Sequence, residues 1–301
     1  MMEQSLQVFI TVAEQRNFTR AAELLHMTQP AVSSYIQTLE RALGARLLDR
    51  TNKYVQLNKA GEIVYHHAKE ILNLYTRMGN LLDDLQHTAS GPLTIGASYT
   101  FGEYILPHVL TRLRELYPKV SPTITIANSK VILDLTARRQ LDIGIVEGEL
   151  KEKELTGVSA DSFAEDQMFI TASPRHPASG QIEISAADLA EHTWIVREEG
   201  SGTRQMQEKA FEQLGFQPAH LLVIGSTQAI KEAVDAGLGL TLLSRWTLRK
   251  ELEAGSLQLL QLDGFPLTRQ FSLVMPESQF QTKATELLAA MIRDGEGFPE
   301  D

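Results

Sequence analysis

The sequence predicts a multidomain α+β protein in which a small helical domain, one long helix and a two-lobed α/β domain follow one another. Three observations support this organisation. The first sixty residues contain short helical patterns, residues 58–85 contain one long apolar repeat, and the remainder alternates strand-like and helical segments. At 301 residues, with 43% hydrophobic side chains, the chain is long enough for two or three domains.

The composition excludes several classes of protein. The absence of cysteine excludes disulfides, thiolate chemistry and cysteine-based zinc sites. No stretch approaches the ~18–20 consecutive apolar residues that span a bilayer. Residues 1–4 lack the basic segment and apolar run of a signal peptide. We therefore expect a cytoplasmic protein without a membrane partner.

The charge is unevenly distributed along the chain. Residues 1–60 contain seven basic and five acidic side chains, a net charge of +2, although the whole chain carries −10. Only this first part can approach phosphate without repulsion. The asymmetry favours a nucleic-acid contact near the N-terminus, although acidic enzymes can have such a start by chance.

The N-terminal pattern predicts three short helices. The first covers residues 5–16, and Thr19 can cap a second over residues 20–25. The third begins beside Pro30, where a missing amide hydrogen is tolerated in the first helical turn. It ends at Gly44, a residue type typical of helix C-caps.

A hairpin and a long helix follow. The β-like runs 46–48 and 54–57 predict a wing, and Asn58 can cap a helix of roughly 40 Å that ends near Leu85. Its apolar residues alternate at spacings of four and three, which is a heptad seam. The seam either packs on its own domain or forms a dimer strut, which we favour because nothing nearby supplies a partner of that length. The seam comprises Val64, Ala68, Ile71, Tyr75, Met78, Leu82 and Leu85.

Residues 18–37 fit a helix-turn-helix, with small or apolar residues on the inner faces and polar residues where base edges would lie. Gln29 can pair bidentately with adenine, whereas Arg50 and Lys53 in the wing would contact phosphates. The alternative is a helical bundle with an incidental Thr-Gln-Pro turn. The hairpin, the long helix and the charge asymmetry together favour DNA binding. The candidate DNA-binding residues are Thr28, Gln29, Pro30, Ser33, Ser34, Arg50 and Lys53.

Strand–helix alternation over about 210 residues predicts mostly parallel sheets in two small lobes. The strands are expected at 93–97, 123–127, 142–146, 167–172, 194–196, 221–224 and 240–243. The helices are expected at 101–116, 131–139, 203–214 and 228–236.

Polar side chains follow several of these strands, where helix N-termini present free amides to ligands. Converging amides and hydroxyls predict a small anion, such as a carboxylate, a phosphate or a sulfur oxyanion; simple helix capping is the alternative for each hydroxyl. Glu147 either binds a ligand amine or faces solvent. The candidate effector-binding residues are Ser98, Tyr99, Thr100, Asn128, Ser129, Glu147, Gly200, Ser201, Gly202, Thr203, Arg204 and Thr227.

The segment AAELLHMTQPAVSSYIQTLERALGARLLDR, residues 21–50, followed by QLNKAG, resembles the N-terminal signature of LysR-type transcriptional regulators. The order of wing, long helix and two-lobed domain extends the resemblance over the whole chain. Two departures concern Ser34, where members often have a basic residue, and Asn58, where many have threonine. Residues 197–204 are similar to members that govern sulfur or carbon-dioxide assimilation.

The resemblance implies a sequence-specific transcription regulator that binds promoter DNA and acts as an activator by contacting RNA polymerase. It implies homodimers that assemble into a homotetramer, and a small effector as the ligand, with no other cofactor and no metal. The effector domain would be like a periplasmic binding protein, with two lobes joined by crossing strands. The implied divisions are a winged helix-turn-helix at 1–58, a linker and dimerisation helix at 59–89, and an effector domain at 90–301, with lobe I at 91–161 and 267–293 and lobe II at 162–266.

Two other classes of function fit the sequence less well. A solute-binding protein with an N-terminal interaction module predicts an export signal, and none is expected here. An α/β enzyme finds little support, because the eight histidines form no His-Glu-x-x-His motif and no Gly-x-Ser-x-Gly or dinucleotide fingerprint occurs. We therefore expect a non-enzyme.

Overall fold

The computed structural model describes residues 2–50, 55–84, 89–180, 184–277 and 280–299. The chain forms two compact units, Met1–Leu85 and Gln86–Asp301. Among the helices of these described ranges, none is both long and apolar enough to cross a bilayer.

The N-terminal unit contains three helices, a hairpin and a long helix, as predicted, but the first hairpin strand is Leu48–Arg50 and not residues 46–48. Its core is formed where the apolar faces of the first and third helices meet, around Phe9, Val32 and Ile36. The two hairpin strands pair antiparallel, with Leu48 opposite Leu57. The elements are α1 (Met2–Gln15), α2 (Phe18–Leu24), α3 (Gln29–Leu43), β1 (Leu48–Arg50), β2 (Val55–Leu57) and α4 (Lys59–Asp84).

The predicted cap of α2 was wrong. Asn17, and not Thr19, precedes the first helical turn, and its Oδ1 accepts hydrogen bonds from the amides of Thr19 (2.9 Å) and Arg20 (3.1 Å). The helix therefore begins two residues earlier than expected. An asparagine in extended conformation satisfies two amides that the helix itself leaves free.

The junction between hairpin and α4 explains the Asn58-Lys59-Ala60-Gly61 motif. The Oδ1 of Asn58 accepts from the Gly61 amide (2.9 Å), which confirms the predicted cap, and its Nδ2 donates to the Arg46 carbonyl (3.0 Å). A Cβ at Gly61 would overlap the Leu47 carbonyl oxygen. Glycine at this position therefore lets α4 start directly against the chain that enters the hairpin.

The long helix α4 packs on its own unit only along its first half. Ala68 is buried, and Glu14 on α1 accepts a hydrogen bond from Tyr65 (2.8 Å) and pairs with Lys69 (3.0 Å). Further along, the seam residues become exposed, from 41% at Ile71 to 59% at Leu82. The described half of the seam beyond Ala68 thus leaves an apolar stripe uncovered by its own unit.

The C-terminal unit is a mixed α/β structure. Its strands are β3 (Gly91–Ala97), β4 (Val120–Ile126), β5 (Ile143–Glu147), β6 (Val158–Ala172), β7 (Thr193–Val196), β8 (His220–Val223), β9 (Thr241–Ser244), β10 (Gln258–Leu259) and β11 (Leu267–Pro276). Its helices are α5 (Tyr99–Tyr104), α6 (Leu106–Leu116), α7 (Ser129–Ala137), α8 (Ala186–Glu191), α9 (Gly202–Leu214), α10 (Thr227–Asp235), α11 (Arg245–Ala254) and α12 (Lys283–Arg293), with a short 3₁₀ turn at Glu152–Glu154.

Two long antiparallel strands, β6 and β11, run through both lobes. One half of the pair continues a sheet with β5, β3 and β4, which is lobe I, and the other half contacts β9 and β10 in lobe II. The pairing shifts register between Phe271 and Ser272, a β-bulge near the crossing point. The parallel pairs are β3 with β4, β3 with β5, and β7 with β8.

The predicted secondary structure needs three corrections here. The sheets are mixed rather than mostly parallel, because β6 and β11 return antiparallel between the lobes. The helix predicted over 101–116 is two helices that meet at Ile105, since Pro107 fits the first turn of a new helix. The strand predicted at 167–172 is only the end of the fifteen-residue β6.

We predict that Asn17→Ala frees two amides at the start of α2 and costs about 1 kcal/mol of local stability. In the full-length variant, we expect the backbone amides of α2 to exchange hydrogen about fivefold faster than in the wild type. Hydrogen exchange resolved to a peptide that covers α2 measures this rate. Thr19→Ala is the matched control and leaves this exchange rate unchanged. A larger effect from Thr19→Ala than from Asn17→Ala would restore the original assignment of the cap.

Candidate DNA-reading helix and effector cleft

The start of α3 presents the predicted polar residues at the surface. Thr28, Gln29, Pro30 and Ser34 are exposed and Ser33 is half-buried. The opposite face of the helix, with Val32, is buried against the core. Thr28 also caps α3, because its hydroxyl oxygen accepts from the Ala31 amide (3.4 Å). The N-terminal turn of α3 is therefore fixed in place while its polar side chains point away from the core.

Two further predicted contacts lie at the hairpin. Lys53 lies outside the described residues, and of Arg50 the structure describes the backbone, in β1 opposite Val55, but not the side chain. Tyr35 packs within the N-terminal unit, and its hydroxyl donates to Gln4 Oε1 (2.8 Å).

In the C-terminal unit, hydroxyls from both lobes converge on Glu147. Ser98 follows β3 and donates to Glu147 Oε2 (3.0 Å), and Thr203 on α9 donates to Oε1 (3.1 Å). Ser129 donates to the Glu147 carbonyl (2.9 Å). Glu147 is 3% exposed, so the alternative that it faces solvent was wrong. We call this arrangement the Glu147 cluster.

Arg269 on β11 completes the Glu147 cluster. Its guanidinium contacts Glu147 (3.0 Å), Asp166 (2.7 Å) and the hydroxyls of Thr203 and Thr100 (both 3.0 Å). Asp166 lies directly opposite Arg269 in the β6–β11 register and also accepts from Ser244 Oγ (2.6 Å). The cluster thus ties residues of lobe I, lobe II and both crossing strands together.

The charges in this cluster are almost completely removed from water. Side-chain exposure is 1% for Arg269, 2% for Glu147 and 0% for Asp166. Burial raises the pKa of Asp166, and the nearby Arg269 only partly offsets this. Burial lowers the pKa of Arg269, but Glu147 and Asp166 raise it by more. One guanidinium facing two carboxylates leaves surplus negative charge.

A second buried guanidinium, Arg197, follows β7. Its Nε and Nη2 bind both oxygens of Glu198 (2.8 and 2.9 Å), and its Nη1 donates to Thr227 Oγ1 (3.1 Å). The ring of Tyr99, from lobe I, lies 4.4 Å from the guanidinium carbon. Asn128, also from lobe I, donates to Glu198 Oε1 (3.1 Å) while its Oδ1 caps α7.

The pKa of Glu198 lies below its ordinary value. Partial burial raises it, but hydrogen bonds from Arg197 and Asn128 lower it by more. Glu198 is therefore held as a carboxylate on the Arg197 guanidinium.

The glycines of the predicted loop allow close approach between the lobes. The Gly200 carbonyl accepts from the Lys130 amide (3.1 Å), and a Cβ at Gly202 would overlap the Glu147 carbonyl. Ser201 is buried and precedes α9. Arg204 has other partners, since it pairs with Glu208 (2.7 Å) and donates to the Arg197 carbonyl (3.3 Å).

The sequence did not point to Arg197, Glu198, Asp166 or Arg269. Arg197 lay within a stretch already noted, but Arg204 was chosen as its charged member. Asp166 and Arg269 are 103 residues apart and meet only through strand register. Arg269, the single charged residue of the otherwise largely apolar β11, was the local signal that could have found this cluster.

Comparison with family models divides the chain as the structure does. Residues 4–62 match the bacterial regulatory helix-turn-helix proteins of the lysR family, and residues 86–296 match the LysR substrate binding domain.

Two relatives and one solved structure are similar over nearly the whole chain. The HTH-type transcriptional regulator CysL of Bacillus subtilis (strain 168) is 38% identical over 96% of this chain and 95% of its own. The RuBisCO operon transcriptional regulator of Allochromatium vinosum is 34% identical over 89% and 88%. Full-length CbnR complexed with its target DNA shares the fold, with a TM-score of 0.73 and 20% identity over 98% and 99%.

We predict that Arg269→Met destabilises the C-terminal unit by about 3–5 kcal/mol, because it leaves two buried carboxylates uncompensated. Because burial raises the pKa of Asp166 in the folded state, the loss becomes smaller as the pH falls, since protonation of this carboxyl removes buried charge. Urea denaturation followed by tryptophan fluorescence measures this, because Trp194 and Trp246 both lie in this unit.

Arg293→Met is the control for that prediction. Arg293 pairs with Asp161 at the surface (2.8 Å), with both side chains more than 40% exposed, so its loss costs at most about 1 kcal/mol. Equal losses for the two variants would contradict a special role for the buried cluster.

Proposed function

The chain belongs to the LysR family of DNA-binding transcriptional regulators, and on that premise we propose that a small anion between its lobes controls how it binds promoter DNA. The observation that carries the proposal is the convergence of polar side chains from both lobes at buried positions around Glu147 and Arg197. Groups so placed are sensitive to how far the lobes close. Like the two relatives described above, the chain is a transcriptional regulator and not an enzyme.

The proposed division of labour follows the expected boundaries. Residues 1–58 read DNA in the cytoplasm, residues 59–89 join two copies, and residues 90–301 bind the effector. The uncovered seam on α4 supports the pairing of this helix with α4 of a second copy, in either orientation. Exposed apolar side chains at heptad spacing gain stability by packing on a helix with the same pattern. Two such dimers form a homotetramer that activates transcription by contacting RNA polymerase.

Base reading is assigned to the exposed first turns of α3. Gln29 pairs with a base, and Thr28, Pro30, Ser33 and Ser34 fit the helix to the major groove. Arg50 and Lys53 in the hairpin contact phosphates and supply affinity without sequence preference.

The effector is proposed to act by population shift. It binds more tightly to one degree of lobe closure than to another, and the difference in affinity changes how the dimers pair on DNA. The residues assigned to it are Ser98, Tyr99, Thr100, Asn128, Ser129, Glu147, Gly200, Ser201, Gly202, Thr203, Arg204 and Thr227.

A mobility-shift titration tests the proposed function as a whole. The probes are the promoter beside the protein's own gene and a scrambled duplex of equal length. Each is titrated with and without sulfite, sulfate, thiosulfate or phosphoenolpyruvate. Tighter binding to the promoter, altered by at least one anion, is expected. No preference for the promoter under any of these conditions would contradict the proposal.

We predict that Gln29→Ala lowers the preference for the cognate base pair by about 1–3 kcal/mol while binding to random DNA is retained. Lys53→Ala weakens binding to all sequences and flattens the salt dependence. Gln37→Ala, an exposed glutamine in the second half of α3, is the matched control. Equal losses on specific and random DNA for Gln29→Ala would exclude base reading by this residue.

We predict that Thr203→Ala and Ser129→Ala each abolish the response to the active anion and leave DNA affinity nearly unchanged. Thr203 binds the Glu147 carboxylate from lobe II, and Ser129 holds the Glu147 carbonyl within lobe I, so each loss disturbs the cleft while the sequence of α3 is unchanged. The readout is the change in promoter affinity on adding that anion. Thr156→Ala, at an exposed threonine of lobe I, serves as the control. A full response in both cleft variants would place the effector elsewhere.

A further inference from the structure

The two buried guanidiniums of the cleft differ in their capacity to accept an anion. An arginine side chain has five N–H groups, and Arg269 makes five contacts with Glu147, Asp166, Thr100 and Thr203. The two carboxylates among these partners already exceed its charge. An anion that approached Arg269 would meet repulsion from both carboxylates.

Arg197 is held differently. Its guanidinium is covered by Tyr99 and 1% exposed, but its one ionic partner among the described residues, Glu198, is 30% exposed. Glu198 is also the next residue in the chain, so rotation about its own side-chain bonds suffices to carry the carboxylate into solvent. Separating the Glu147 carboxylate from Arg269 would instead leave that buried carboxylate without its ionic partner.

Glu198 presents the geometry of a small oxyanion to Arg197. Two of its oxygens accept parallel hydrogen bonds from Nε and Nη2, at 2.8 and 2.9 Å. Carboxylates, phosphates and sulfur oxyanions all bind guanidinium in this two-point manner. Asn128 Nδ2 binds one of the same oxygens, so a ligand in this place would also contact lobe I.

We propose that Glu198 occupies, in the ligand-free protein, the place of the effector's anionic group on Arg197, and that the effector binds by displacing it. Arg197 is then the principal anion contact, with Asn128 from lobe I and Thr227 from lobe II beside it. This inference rests on the proposed anionic effector and adds the residue that competes with it. The carboxylate of Glu198 raises the apparent Kd of the anion, because the anion binds only the fraction of molecules in which Arg197 is free of Glu198.

The test compares Glu198→Gln with Glu199→Gln in the full-length protein. Both variants remove one negative charge from the same loop, but Glu199 is exposed and no contact of it with Arg197 is described. Isothermal titration with sulfate, phosphate, sulfite and thiosulfate gives the affinities. Circular dichroism checks that both variants are folded. We expect Glu198→Gln to bind an anion about tenfold more tightly than wild type, because a neutral amide holds Arg197 less strongly, and Glu199→Gln to bind as wild type does.

Thermal stabilisation by the same salts extends the measurement to weak binding, since stabilisation grows with the ratio of ligand concentration to Kd. Arg197→Lys keeps the charge but loses the two-point geometry, and we expect at least a tenfold loss of affinity. If anions bind wild type and Glu198→Gln equally, or bind the variant more weakly, displacement is wrong while an anionic effector stands. If no probe anion binds or stabilises either protein, the anionic effector itself is wrong.

Discussion

The antiparallel pairing of β6 with β11 is the constraint on which the C-terminal unit depends. Each strand contributes one half to each lobe, so neither lobe has a complete sheet without the other. Where the strands cross, Arg269 faces Asp166 in register and reaches Glu147 at the end of β5. The Glu147 cluster lies at the crossing itself and joins the two lobes there.

The cleft combines a fixed cluster with an adjustable one. The Glu147 cluster is buried and fully engaged, and it fixes how Ser98 from lobe I and Thr203 from lobe II meet. The Arg197–Glu198 pair lies closer to solvent and joins the lobes through Asn128. A buried network gives geometric specificity, whereas a partly exposed pair can exchange partners at lower cost.

In the N-terminal unit, local packing determines what is free to touch DNA. The core of α1 and α3 takes up the apolar face of the reading helix and leaves its polar first turns at the surface. Asn58 and Gly61 fix the start of α4 against the hairpin. Further along, α4 presents an apolar stripe that the rest of this unit does not cover. One small core thus sets which polar and which apolar side chains of this unit lie at its surface.

The sequence by itself determined the elements of the N-terminal unit, most strands of the C-terminal unit and the polar residues at strand ends, because periodicity, caps and glycines act over a few residues. It therefore predicted α3, the Asn58 cap and the loops around Ser98, Asn128 and Thr203. It gave no indication of α8, α11, α12, β10 or β11. Only the tertiary structure decided which distant residues meet. Arg269 binds Asp166, which is 103 residues away in the chain, and Thr100, which is 169 residues away. Such pairings depend on strand register and on lobe closure, which no local pattern encodes.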